Sequence, residues 1–87
     1  MMRTYVSDTF ASRAVGRRFY DALRETIVAD YREATGSDRT VRIPYDAIRI
    51  EMLSGDKWIP VERGLSGGLA AIGPAGRYRW RVCVKFD

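Results

Sequence analysis

The chain contains no histidine and only one cysteine, Cys83, among its 87 residues. Without histidine it cannot form a Ser-His-Asp or Cys-His arrangement, the usual means of activating a nucleophile. A zinc site would have to combine one thiolate with carboxylates, which is an unusual ligand set. Asp21 and Glu25 are paired carboxylates on a predicted helix, and Arg17 and Arg24 lie four and three residues from Asp21, which indicates surface ion pairing rather than a catalytic dyad. The sequence therefore predicts a non-enzymatic protein with no catalytic residue, metal or cofactor.

Long apolar runs are absent as well. No segment approaches the roughly 18 consecutive apolar residues that a membrane span requires, and Met1 to Asp8 lack the apolar core of a signal peptide. A single cysteine cannot close a disulfide within the chain, as is typical of proteins in a reducing compartment. We therefore expect a cytoplasmic protein that does not use a membrane as a partner.

The chain is also too short for two folded units, because domains rarely divide below about 100 residues. Residues 1–87 are therefore expected to form a single domain. Surface scaling predicts that about 64% of the surface of the unfolded chain is buried on folding, which leaves a small core. A second copy of the chain or another partner would add to the stability of such a domain, so a homodimer remains an open alternative.

A long helix is predicted in the first half of the chain. No proline occurs between Thr9 and Thr35, Ser7, Asp8 and Thr9 are suitable N-cap residues, and Gly36 suits a left-handed C-cap. At 100° per residue, one side of this helix collects apolar and small side chains and is expected to face the core. These residues are Val15, Phe19, Ala22, Leu23, Thr26 and Ile27.

Residues Arg77 to Phe86 have the clearest strand pattern, a strict alternation of apolar and mostly basic side chains. The apolar face of this strand is expected to pack against Phe19, Leu23 and Ile27 of the helix. That face comprises Tyr78, Trp80, Val82, Val84 and Phe86.

Other segments with strand composition precede this one, and a turn at Ser54 to Lys57 predicts a hairpin. The predicted strands are Arg3 to Val6, Thr40 to Tyr45, Ala47 to Leu53 and Trp58 to Glu62. The expected fold class is α+β, with one long N-terminal helix packed on one face of a three- to four-stranded, mainly antiparallel sheet.

The segment Gly64 to Gly76 is predicted to be a loop, since it contains five glycines and a proline. It lacks the G-x-x-x-x-G-K-[ST] pattern of a phosphate-binding loop and is followed by a strand rather than a helix. We interpret it as a connection packed on its own core. Contact of Leu65, Leu69 and Ile72 with a partner is the alternative.

Two surfaces are candidates for binding. On the helix, arginine and tyrosine residues lie within about 60° of one another, on the edge of the side opposite the predicted core. These residue types are enriched at the centres of protein interfaces. We call them the helix stripe and predict that they contact a protein partner. The helix stripe consists of Arg13, Arg17, Tyr20, Arg24 and Tyr31.

The second candidate surface is the basic face of the last strand, whose side chains project about 7 Å apart, close to the spacing of phosphates along a nucleic acid strand. It is the alternative, nucleic-acid-binding surface, although the net charge of +4 favours anionic partners only mildly. Glu51 and Glu62 on neighbouring strands are expected to offset part of its charge. No aromatic ribonucleoprotein motif accompanies it. The residues of this face are Arg77, Arg79, Arg81 and Lys85.

In general character the chain resembles small phage-encoded inhibitors of bacterial defence, such as anti-CRISPR proteins. The resemblance consists of short length, a layout of one helix on a sheet and the lack of catalytic residues. It involves no motif and transfers no site residues. It implies a non-catalytic protein that acts by binding to a bacterial defence complex. Many anti-CRISPR proteins are acidic mimics of nucleic acid, and the positive net charge argues against that mechanism here.

Overall fold

The computed structural model describes residues 1–86, which form four strands, two α-helices and one 3-10 turn. In chain order these are β1 (Met2–Val6), α1 (Arg13–Thr35), the 3-10 turn (Tyr45–Ala47), β2 (Ile48–Ser54), β3 (Lys57–Arg63), α2 (Leu65–Ala70) and β4 (Tyr78–Lys85). The strands form one antiparallel sheet in the order β1-β4-β2-β3. Both helices lie on the same face of the sheet, α1 over β1 and β4 and α2 over β2 and β3. The α+β prediction is confirmed, and α2 is an additional short helix.

Local signals set the two ends of α1. The Oγ of Ser12 accepts a hydrogen bond from the Val15 amide, and the amide of Gly36, at φ 66°, donates to the Arg32 carbonyl. The predicted cap at Gly36 is confirmed. The predicted start near Thr9 is wrong, because Phe10 instead forms an isolated bridge with Tyr78 and is held there by two backbone hydrogen bonds of 2.8 Å. Among the described residues, no helix combines the length and the apolar character that crossing a membrane demands.

Trp80 is the centre of the core. Its side chain is fully buried, and its indole Nε1 donates a hydrogen bond of 2.7 Å to the carbonyl of Gly16. The close approach of α1 to the sheet depends on Gly16, because a Cβ there would lie 2.8 Å from the Phe10 ring. The other buried apolar residues are Phe10, Tyr20, Ile27, Ile48, Ile50, Ile72, Tyr78, Val82, Val84 and Phe86.

The helix face that meets the sheet differs from the predicted one. Ile27 is fully buried as expected, whereas Phe19 and Leu23 are only half-buried, and Ala22 and Thr26 are exposed. The helix is rotated because Gly16 contacts the core most closely, which brings the residues one and three turns later, Tyr20 and Ile27, onto the sheet. Phe19 and Leu23 therefore pack at the margin of the core and keep part of their apolar surface exposed.

The hairpin of β2 and β3 forms at the predicted turn, where Gly55 has a φ of 65°. The prediction of a strand at Thr40 to Tyr45 is wrong, since this segment has no strand pairing and leads into the 3-10 turn. Proline cannot donate a ladder hydrogen bond. Pro44 instead accepts one, from the Ala47 amide, and so caps that turn.

The glycine-rich segment is not wholly a loop, because Leu65–Ala70 form α2. Its glycines allow close packing: a Cβ on Gly68 would lie 2.6 Å from Cζ3 of Trp80, and a Cβ on Gly76 would collide with the Tyr78 hydroxyl. Ile72 at the end of the helix is buried in the core. The segment is packed on its own core, as the sequence interpretation proposed.

This packing gives a first testable expectation. Gly68→Ala should destabilise the fold by about 1 to 3 kcal/mol, since the new methyl group overpacks against the rigid Trp80 ring. Gly67→Ala is the matched control in the same helix, because its Cβ would meet only the flexible side chain of Glu62 at 3.0 Å. Urea unfolding of both variants measures the difference. Equal stability of the two variants would contradict the tight packing of α2 on Trp80.

Candidate functional site

One face of the sheet carries no helix, and we call it the open face. It displays the side chains of alternate residues on all four strands, as the pairing register fixes them. The centre is basic, and the two edges are largely apolar. The members are Met2, Thr4 and Val6 on β1, Arg79, Arg81, Cys83 and Lys85 on β4, Arg49, Glu51 and Leu53 on β2, and Trp58, Pro60 and Arg63 on β3.

Three arginines lie side by side across the open face. Arg49 on β2 pairs directly with Arg81 on β4 and, on its other side, with Arg63 on β3. Directly opposed residues in antiparallel strands have Cα atoms about 4.5 to 5.5 Å apart. We call these residues the arginine row. Because like charges in direct register destabilise a sheet, the row opposes folding rather than promoting it.

A β-bulge creates the arginine row. From the turn outward the hairpin pairs Leu53 with Trp58 and Glu51 with Pro60, and the register then shifts by one residue between Ile50 and Glu51. Without this shift Arg49 would face Glu62; with it, Arg49 faces Arg63. Glu62 pairs with Ile50 and turns towards α2, where its Cγ would lie 3.0 Å from a Cβ on Gly67. The expectation that Glu62 offsets the strand arginines is therefore wrong.

Glu51 does offset part of the positive charge of the strand arginines. Its side chain is only 4% exposed, and its Oε1 accepts a hydrogen bond of 2.8 Å from Nε of Arg79. Arg81 Nη1 lies 3.9 Å from the other carboxylate oxygen. The Arg79 guanidinium also lies 4.4 Å from the centre of the Trp58 ring, in a cation-π contact. Arg79 is thus fixed by two partners, whereas the Arg81 side chain remains 47% exposed.

Shallow clefts flank Arg49 on both sides. The cleft towards β1 has a volume of about 420 Å³, and the cleft towards β3 about 220 Å³. Guanidinium groups lining such clefts suit carboxylates or phosphates, which they bind through paired N–H groups. The larger cleft is lined by Met2, Asp46, Ala47, Arg49, Arg81 and Cys83, and the smaller one by Arg49, Pro60, Val61, Glu62 and Arg63.

The cysteine on the open face contacts the neighbouring strand β1. Cys83 is half-buried, and its Sγ lies 3.2 Å from the Oγ1 of Thr4 on the neighbouring strand. Within residues 1–86, no three His, Cys, Asp or Glu side chains cluster closely enough to hold a metal ion. Arginine is thus the chemically distinctive residue type of this face.

Only the arginines of the helix stripe are exposed. Tyr20 is 6% exposed, its ring meets the edge of Trp80 at a centroid distance of 5.5 Å, and burial is the main cause that raises its pKa. Tyr31 is half-buried against Phe86. The expectation that both tyrosines project to solvent is therefore wrong, because the rotation of α1 turns their side of the helix towards the sheet.

The arginines of the helix stripe have partners within the chain. Arg13 donates to the Ala70 carbonyl and Arg24 to the Val41 carbonyl, so they tie α1 to α2 and to the segment before β2. Arg17 pairs with Asp21 at 3.3 Å on the exposed side of the same helix. These contacts favour a structural contribution for the stripe. Whether it binds a partner stays a prediction.

The basic residues predicted on the last strand are only partly equivalent. Arg81 belongs to the arginine row, Arg79 is fixed by Glu51 and Trp58, Lys85 lies near the end of β4, and Arg77 precedes the strand. Sequence reasoning missed Arg49 and Arg63. The alternation in β2 places Arg49 on the face of Glu51, but only the bulge and the pairing with β4 reveal its opposed arginines.

Comparison with protein-family models, with curated proteins and with solved structures finds no match to this chain. The open face must be interpreted from its own geometry and charge.

Proposed function

We propose that the chain is a non-catalytic protein-binding module that recognises an acidic partner surface through its open face. The arginine row carries this proposal. Three arginines in direct register on a sheet face without a helix cost folding stability, and a partner with carboxylates would remove that cost on binding. Cleft-lining guanidinium groups beside exposed apolar residues would then form the centre of the interface.

The spacing and the side-chain types favour a protein over a phosphate backbone. Because Arg79 is fixed by Glu51 and Trp58, the line of cations about 7 Å apart along β4 is interrupted. The remaining row runs across the strands at about 5 Å, which suits neighbouring carboxylates of a folded protein. Exposed Met2 and half-buried Trp58 flank the row, and arginine, tryptophan and methionine are enriched at protein interfaces.

An inhibitor that binds a bacterial defence complex is the form of binding module that the general resemblance to anti-CRISPR proteins suggests. We propose defence proteins with acidic surfaces as the first partners to assay. In this proposal the chain acts by occupying a surface, since the open face offers cationic recognition and no reactive arrangement.

A nucleic acid partner is the second candidate, and a separate observation favours it. The open face carries five basic residues and, among the strand residues that the structure describes on that face, one carboxylate, that of Glu51. Most of the net positive charge of the protein is therefore on one side. The basic members are Arg49, Arg63, Arg79, Arg81 and Lys85. Phosphate contacts would give binding that weakens steeply with salt.

Arg49→Ala tests the proposal. We expect at least a tenfold loss of affinity for a poly-glutamate peptide, because Arg49 is the central member of the row, while the melting temperature stays equal or rises as like charges separate. Arg18→Ala, which removes an exposed arginine of α1, is the matched control and should change neither quantity. Fluorescence titration and thermal unfolding of the same samples provide both measurements.

The measured affinities distinguish an acidic protein partner from a nucleic acid partner. Equal affinity of the two variants for poly-glutamate would contradict the role of the row. Tighter binding of duplex or single-stranded DNA than of poly-glutamate at about 0.15 M salt would favour the second candidate instead, since non-specific phosphate contacts are largely screened there.

A further inference from the structure

We propose that the chain forms a symmetric dimer in which β1 pairs with β1 of a second copy, antiparallel and centred on Thr4, to make one continuous sheet. This inference does not depend on the proposed function. It rests on the backbone of the β1 edge, on the self-complementary side chains of that strand and on the part of α1 that the sheet leaves uncovered.

The backbone of β1 has a free hydrogen-bonding edge. Met1 and Phe86 exchange backbone bonds, as the Met1 amino group and the Phe86 amide each donate to the other residue's carbonyl, and the Ser7 amide donates to Trp80. Hydrogen-bonded pairs alternate along an antiparallel ladder. Odd-numbered residues of β1 therefore bond to β4. The amide and carbonyl groups of Met2, Thr4 and Val6 point outward from the sheet.

The two edges of the sheet differ in how they are protected. The β3 edge contains Pro60, which lacks an amide hydrogen, and a bulge next to it. Both features are known means of preventing a further strand from pairing. β1 has neither a proline nor a bulge, and its side chains on the open face, Met2, Thr4 and Val6, are uncharged. Only this edge is suited to strand pairing.

The strand is complementary to itself. Pairing about Thr4 places Met2, which is 63% exposed, opposite Val6 of the second copy, which is 45% exposed, so that both apolar side chains lose contact with water. On the helix side, Arg3 would face Tyr5 of the second copy, whose hydroxyl donates to Asp30 at 2.8 Å. Within each copy Arg3 already lines a cleft with Asp30 and Glu33 and lies 4.6 Å from the centre of the Phe86 ring, and pairing would bring the two copies of this charged cluster together across the axis.

The uncovered part of α1 lies next to the same edge. Phe19, Ala22, Leu23 and Thr26 line a cleft of about 310 Å³ with Val6 and the residues that follow it. These helix residues were expected in the core and are left exposed or half-buried by the rotation of α1. In the paired sheet Val6 lies opposite Met2 of the second copy, so the start of that copy's β1, with Met1 66% exposed on the helix side, would lie beside this cleft and cover part of it. A second copy would thus pair with the free edge of β1 and cover part of the cleft.

Thr4→Lys is the main test, measured on the full chain by sedimentation equilibrium over a concentration series. We expect the parent to be a dimer at micromolar concentrations and Thr4→Lys to raise the dimer dissociation constant at least tenfold, because two ammonium groups would meet on the two-fold axis. Thr4→Val is the matched control, since it keeps the outward amide and the size of the side chain, and it should dimerise like the parent. Far-ultraviolet circular dichroism confirms that each variant is folded.

A disulfide tests the register directly. Thr4→Cys is made together with Cys83→Ser, because Thr4 pairs with Cys83 in the same chain. Mild oxidation should link two copies, as paired Cα atoms lie within the usual range for a disulfide. The control, Ser54→Cys with Cys83→Ser, places the thiol beside the hairpin turn and should remain unlinked. A parent that is monomeric at about 0.5 mM, or linking that is equal for the two thiol positions, would overturn the proposal.

Discussion

Trp80→Ala is expected to destabilise the domain strongly, with a loss of about 3 to 5 kcal/mol in the free energy of unfolding. The indole is fully buried, contacts the rings of Phe10 and Tyr20, and donates its Nε1 hydrogen to the Gly16 carbonyl. Alanine leaves a cavity and removes the indole hydrogen bond to the Gly16 carbonyl at the point where both helices meet the sheet. Small domains have total stabilities of about 5 to 15 kcal/mol, so a loss of this size removes a large part of the free energy of unfolding.

Trp58→Ala is the matched control for that experiment. Trp58 is half-buried on the open face, and its ring contacts the Arg79 guanidinium rather than the core. We expect a loss of about 1 kcal/mol or less, the range of an exposed cation-π contact. Urea unfolding followed by circular dichroism at several protein concentrations gives both values. Equal unfolding midpoints for the two tryptophan variants would mean that Trp80 is not the centre of the core.

The parts of the fold that could be predicted are those fixed by local sequence. The strict alternation of β4, the hairpin turn at Gly55 and the cap at Gly36 each depend on a few adjacent residues, and each is confirmed. The rotation of α1 could not be predicted, because helical periodicity is compatible both with a core face that contains Phe19 and with one that contains Tyr20. The space beside Gly16, filled by Phe10 and Ile72, decides between them, and that space exists only in the folded chain.

The candidate site, like the fold, could be predicted only where local sequence fixes it. Arg81 and Glu51 could be assigned to the open face from alternation alone, and their proximity was expected. The arginine row depends on a register shift of one residue in β3, which exchanges Glu62 for Arg63 opposite Arg49. A one-residue shift reverses the face of every later side chain in a strand. Pro60 is compatible with either an edge strand or a bulge, so the residue types do not fix where that shift falls, and the row could be seen only in the structure.

Glu51→Ala is the second substitution with a large expected effect. It removes the carboxylate that Arg79 contacts at 2.8 Å and that lies 3.9 Å from Arg81, and so leaves the arginines of the open face without their counter-charge. Breaking a buried ion pair from one side costs about 3 to 5 kcal/mol. Because the arginine side chains are 26% and 47% exposed, water screens part of this, and we expect about 2 to 4 kcal/mol.

Asp21→Ala is the control for Glu51→Ala, because it also removes a carboxylate from an arginine pair, but one that is more than half exposed. Its cost should be about 0.5 kcal/mol or less. Urea unfolding at low and at high salt measures both variants. We expect high salt to restore part of the stability of Glu51→Ala, since it screens the arginine row. An unchanged cost in 1 M salt would indicate lost packing rather than exposed repulsion.

The combination of Glu51→Ala with Arg49→Ala separates these two causes further. If repulsion among arginines dominates, removing Arg49 stabilises the Glu51→Ala protein more than it stabilises the parent, and the two changes are not additive. If the buried carboxylate acts mainly by holding Arg79 against Trp58, the effects add. Glu51→Gln completes the series: it retains the shape, removes the negative charge and should bind poly-glutamate more tightly than the parent does. Weaker poly-glutamate binding by this variant, with the fold intact, would mean that Glu51 positions the arginines and that positive charge alone does not explain recognition by the open face.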